Sequence, residues 1–115
     1  MPYFLTQASY TSDAWNALMR NPHNRFEALQ PVVEKLGGRF VNAFFAYDEY
    51  DVVLILEMPD EASAAALAVA AAGGGALRAT KTTQLITAAQ GVKILNKAAS
   101  CGYKPVTASA AAAGR

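Results

Sequence analysis

The chain has 115 residues, of which 53% are apolar and 17% charged, and its formal net charge is +1. That length suits one domain that buries roughly two-thirds of its unfolded surface. The near-neutral charge, with lysines and arginines scattered, excludes the basic stripe of a nonspecific nucleic-acid binder.

No apolar run approaches the ~18–20 residues of a membrane span, and the single cysteine, Cys101, has no partner for an intramolecular disulfide. The amino terminus, MPYFLTQASYT, lacks a basic leader and a signal-peptide core, so a cytoplasmic location is expected, without nucleic-acid or membrane partners.

Residues 3–10, YFLTQASY, alternate bulky with smaller or polar side chains and read as a first strand. Thr11 and Ser12 offer caps for a helix in which Trp15, Leu18 and Met19 fall at helical spacing. The helical signal restarts in NPHNRFEALQPVVEKLGGRF, with Asn21 as cap and Pro22 at the first helical position. Phe26, Leu29, Val33 and Leu36 then share one face. Pro31 removes one backbone hydrogen bond and predicts a kink, and Gly37 and Gly38 end the helix by the left-handed route open to glycine.

Residues 39–47 and 52–58 form the second and third strands, with Asp48 to Asp51 as the turn. Pro59 and Asp60 break the third strand, and Asp60 caps an alanine-rich helix with acids at its positive end. Gly73, Gly74 and Gly75 stop it. Residues 76–87 make a fourth strand, and 88–98 a short closing helix weakened by Gly91. The expected organisation is a folded domain over 1–103 and a disordered Ala/Ser-rich tail over 104–115.

The order β-α-β-β-α-β is that of a ferredoxin-like α+β domain, a four-stranded antiparallel sheet with helices on one face. The central strands are apolar on both sides. Val53 and Ile55 precede Glu57 on one side, and Val52, Leu54, Leu56 and Met58 share the other; in the second strand Val41, Ala43, Phe45 and Tyr47 alternate with Phe40, Asn42 and Phe44. Two substantial helices cover one face only. A bare apolar face marks an interaction surface, so sheet-to-sheet pairing into a homodimer or higher oligomer is expected; the alternative is that residues 88–103 fold back over that face.

EYDVVLILEMPDEASAAALAVA resembles the hallmark segment of the GYD-domain family of small bacterial proteins. Tyr50 and Asp51 match the last two letters of the Gly-Tyr-Asp triplet, with Glu49 in place of the glycine, and Glu57, Pro59 and Asp60 match Glu-x-Pro-Asp. Asn21, Pro22, Arg25, Leu36, Gly37 and Gly38 match its Asn-Pro-x-x-Arg and Leu-Gly-Gly elements. The resemblance runs from about residue 3 to 90 and implies a dimeric α+β barrel in which ferredoxin-like subunits pair through their sheets. It implies no particular activity, since barrel relatives include monooxygenases, lactone isomerases, stress-response proteins and haem enzymes. If the turn before the third strand needs a positive φ, Glu49 is strained there.

Glu57 is the candidate catalytic residue. Near the end of an apolar strand, its carboxylate is either a general base with a pKa raised by desolvation or a structural ion-pair partner of Arg78 or Lys81. His23 is the sole histidine and reads as a surface residue, with haem ligation the alternative. Arg25 either bridges Glu27, Glu34 or Asp51 or clamps a carboxylate ligand. Tyr50 and Asp51 shape the turn or touch a ligand. Trp15, Phe40, Phe44 and Phe45 are core or pocket aromatics. GGGALRAT lacks the ending of a phosphate loop, and Cys101 reads as an inert thiol.

No metal cluster or cofactor fingerprint is visible, and no cofactor is expected. The leading expectation is a homo-oligomeric protein that binds a small apolar ligand between subunits or serves a structural role. The alternatives are a cofactor-independent isomerase or monooxygenase acting on a small aromatic or lactone substrate, with Glu57 as base, and a ring- or cage-forming assembly subunit.

Overall fold

Strand β1 (Tyr3–Tyr10) buries Phe4, Thr6 and Ala8 and leaves Tyr3, Leu5 and Gln7 half-buried, the period of two that a strand beneath a helical layer imposes. It pairs antiparallel with β3 (Val52–Glu57) and with β4 (Leu77–Leu85), and β3 pairs with β2 (Arg39–Phe45). The sheet order is β2-β3-β1-β4, with both connections that cross it made by helices. This is the ferredoxin-like α+β arrangement. The computed structural model describes residues 1–106, so the tail expected to be disordered lies largely outside the described residues.

Helices α1 (Ser12–Arg20), α2 (Arg25–Lys35) and α3 (Glu61–Gly73) belong with the sheet to a unit spanning Met1–Leu85. Thr11 caps α1, its hydroxyl accepting from the Ala14 N–H at 3.2 Å, and Asp60 caps α3, accepting from the Ser63 N–H at 2.7 Å. The start of α2 corrects the sequence expectation. Asn24, not Asn21, is the cap, and its Oδ1 accepts from the Phe26 and Glu27 amides at 3.0 and 3.3 Å. Asn21 instead closes α1 by donating to the Ala17 carbonyl, which leaves Pro22 in the connection rather than at the first helical position. Gly37 ends α2 at φ 87° as expected.

The core gathers on the helical side of the sheet. Phe4, Leu56 and Met58 meet Val33 of α2 and Ala64 and Leu67 of α3, with Phe26, Leu36, Phe40 and Ala43 at its margin. A chain of aromatic rings ties α1, β2 and α2 together: Tyr10–Trp15 at 5.1 Å, Trp15–Phe45 at 6.2 Å and Phe26–Phe45 at 5.3 Å between centroids. Gly38 lies so close to β3 that a Cβ would fall on Met58 Sδ and the Glu57 carbonyl oxygen.

The faces of β2 differ from strict alternation. The β2–β3 register shifts between Phe40 and Asn42, with Val41 as the extra residue. Phe40 opposes Leu56 and Ala43 opposes Leu54, so both join the core face, while Asn42 and Phe44 oppose Ile55 and Val53 on the other. Strand β2 also ends at Phe45, two residues earlier than expected, and Tyr47 is 98% exposed in the connection.

A second unit begins at Ile86 and contains α4 (Ala88–Ala99). Its start is a capping box, with the Thr87 hydroxyl accepting from the Gln90 N–H and Gln90 Oε1 accepting from the Thr87 N–H. These two bonds offset the weak propensity of Gly91. Val92, Ile94 and Leu95 of this helix are exposed. Among the described residues no helix is long and apolar enough to cross a membrane.

Candidate functional site

The layer between sheet and helices is not filled throughout. Leu56, Met58 and Val33 are fully buried between sheet and helices. Further along, β1 and β3 present Thr6, Ala8, Val52 and Leu54 to an α3 face made of Ala68 and Ala71 beside Leu67. Between them, with alanines as most of the α3 contribution, lies a cavity of about 210 Å³. Its lining is mostly apolar, and Arg25 at the start of α2 is the charged residue among those that line it. Tyr10 reaches the same space from the end of β1. Burial pushes the Tyr10 phenol up, opposed by the nearby Arg25 charge, so it stays protonated and able to donate a hydrogen bond.

Tyr10 is positioned by the turn that precedes β3. Asp51 Oδ2 accepts the Tyr10 backbone N–H at 2.9 Å, the Asp51 N–H donates to the Ala8 carbonyl at 2.9 Å, and its own carbonyl accepts from Ala46. One residue thereby closes the β2–β3 turn and binds it to the end of β1. Ser9, buried, adds a bond from its hydroxyl to the Glu49 carbonyl at 2.9 Å. Glu49 takes the place of the triplet glycine without backbone strain, because no non-glycine residue among those described has a positive φ. Tyr50 between them is half-buried. The turn role expected of Asp51 is what its three hydrogen bonds perform.

Glu57 lies elsewhere. It points to the sheet face opposite the cavity, where Tyr3 is its register partner on β1 and Arg39 its partner on β2. Arg39 Nε and Nη2 each donate to a Glu57 carboxylate oxygen at 3.0 Å. The partner is therefore Arg39 rather than the expected Arg78 or Lys81. Hydrogen bonding from Arg39, then from the Tyr3 hydroxyl, holds the Glu57 carboxyl below its ordinary value. A general base tuned upward by desolvation is the opposite condition.

The sequence candidates thus separate into two regions. Arg25 lines the cavity, and Asp51 and Tyr50 sit behind Tyr10; Glu57 stands on the far face. His23 is exposed, with Nδ1 2.7 Å from the Asn21 carbonyl oxygen. Arg25 has no carboxylate within 4.0 Å among the described residues, so the salt bridges expected with Glu27, Glu34 or Asp51 are not formed. Of the aromatics, Trp15 and Phe45 join the ring chain and Phe40 the core margin, while Phe44 is exposed on the far face. Sequence reasoning missed Tyr10, Leu29 and the alanine face of α3 as a cavity. Alanines at 68 and 71 opposite Thr6 and Ala8 are the available signal: small residues on facing layers.

The antiparallel sheet backed by three helices on one side, hollowed above β1 and β3, defines a ferredoxin-like α+β protein with a pocket inside the subunit. The chain belongs to the GYD domain family, whose model matches residues 4–95. No curated protein and no solved structure matches it.

Proposed function

We propose that this GYD-domain protein is a homodimeric small-ligand-binding protein, with one ligand in each subunit's cavity between sheet and helices. The cavity itself carries the reading: a mostly apolar space of about 210 Å³ with a few polar groups at its margin is the usual composition of a small-molecule site. The ligand location differs from the inter-subunit position expected from sequence, because α3 lacks the bulk to fill the layer beneath it.

Pairing rests on the other sheet face. Leu5, Val53, Ile55 and Phe44 lie there in register on three strands, half-buried or exposed. A second copy presenting the same face satisfies a two-fold, self-complementary contact. Arg39 and Glu57 sit at the margin of that surface, where their ion pair keeps contact with water and avoids the desolvation cost of full enclosure.

Native mass spectrometry of protein purified from its own host tests both parts. The expected spectrum is a dimer carrying two copies of a small molecule, with occupancy reduced in Ala71→Leu, whose longer side chain narrows the cavity. A bare dimer overturns the binding role, and a monomer at micromolar concentration overturns the pairing.

A further inference from the structure

We propose that the cavity takes an aromatic or medium-chain monocarboxylic acid, with its carboxylate on the Arg25 guanidinium and its apolar body between β1, β3 and α3. This rests on the ligand-binding reading above and adds the chemical class.

Charge selects the head group. Arg25 lines the cavity with no carboxylate of the described residues within 4.0 Å, so its N–H donors are available. A guanidinium holds a carboxylate through two parallel charge-assisted hydrogen bonds, and the protonated Tyr10 phenol adds a donor beside it. The nearby negative group, Asp51, is not among the lining residues and spends Oδ2 on the Tyr10 amide. No acidic side chain lines the space, so a cationic ligand finds no partner there.

Size and lining select the body. An apolar cavity of ~150 Å³ takes up benzene, so about 210 Å³ accommodates a ring with a short arm, or an equivalent alkyl chain. Val52, Leu54, Leu67 and the α3 alanines offer apolar contact, and the Thr6 and Thr80 hydroxyls are too few to replace the hydration of a sugar or nucleotide. The head lies at the end of β1 and the body runs beneath α3.

Isothermal titration of the full chain with 3-phenylpropionate and its neutral amide, two ligands of one shape, reads the assignment. The acid is expected to bind at least tenfold tighter than the amide. Arg25→Gln, an exposed substitution that leaves the fold intact, is expected to weaken the acid at least tenfold and the amide, whose carbonyl accepts only an uncharged-acceptor bond, by much less. Ala71→Leu, which narrows the cavity, is expected to weaken both. Equal binding of acid and amide, or a preference that survives Arg25→Gln, overturns the carboxylate assignment and leaves cavity binding standing. Acid binding undiminished in Ala71→Leu places the ligand elsewhere and overturns it too. Absence of binding by either probe to the wild-type protein overturns the assignment; whether the cavity binds anything is then decided by the mass spectrum of the host-purified dimer.

Discussion

Arg39 meets Glu57 across the β2–β3 ladder through two 3.0 Å hydrogen bonds, and it does so because of one extra residue. Counted outward from the Phe45–Val52 pair, a regular ladder sets Phe40 against Glu57. The shift at Val41 sets Arg39 there instead and turns Phe40 toward Leu56 and the core. The bulge therefore solves two problems at once: it compensates the carboxylate and buries a phenylalanine.

This pairing has a pH signature. The folded-state value of Glu57 is depressed below its ordinary 4.5, so its ionised form adds stability that is complete above that pH and fades as pH falls through the lower folded value. Thermal melts of wild type and Glu57→Gln are expected to differ by a constant amount from pH 8 to pH 5 and to converge in stronger acid. A gap that persists unchanged to pH 2 would show that the glutamine variant loses something other than this charge.

Gly38 and Gly73 make a matched pair for substitution by alanine. A Cβ at Gly38 collides with Met58 Sδ and the Glu57 carbonyl, whereas one at Gly73 meets nothing within 4 Å. Gly38→Ala is expected to lose about 1–3 kcal/mol by overpacking. Gly73→Ala, in the last turn of α3, is expected to gain about 0.5–1 kcal/mol by limiting the unfolded chain. Urea denaturation midpoints check both signs.

Asp51 offers a graded test of the turn. Asp51→Ala leaves the Tyr10 N–H without its acceptor and is expected to cost about 1–2 kcal/mol, several degrees in Tm for a domain of this size. Asp51→Asn keeps an acceptor oxygen and is expected to lose clearly less. If the two variants melt together, the charge of Asp51, and not its acceptor geometry, is what the turn uses.

Assembly through the far sheet face is read by Ile55→Asp. Ile55 lies in register with Leu5 and Asn42 at the centre of that face, so a charge there opposes pairing with a second copy while leaving the helical core untouched. Sedimentation velocity is expected to show a dimer for wild type and a monomer for the variant, with matching far-UV spectra. A wild-type monomer, or an unaltered dimer in the variant, removes this face from the assembly.

Much of the fold was legible in the chain order of residues. Strand periodicity in YFLTQASY and VVLILE, the caps Thr11 and Asp60, and the glycine stop at Gly37 are local matters, decided by a side chain and the amides or steric space within a few residues of it. The α2 start misled because Asn21 and Asn24 are both competent caps, and only the geometry of the α1–α2 connection assigns Asn21 to the helix before and Asn24 to the helix after.

What tertiary structure alone decided are relationships between distant segments. The phase of β2 depends on a bulge that no alternation pattern announces, and with it the choice of Arg39 as partner for Glu57. The cavity depends on which alanines of α3 come to lie over Thr6 and Ala8, some sixty residues away in sequence. Composition tells that α3 is small-faced; only packing tells whether a neighbour's bulk compensates, because a void belongs to two surfaces and neither strand nor helix encodes it by itself.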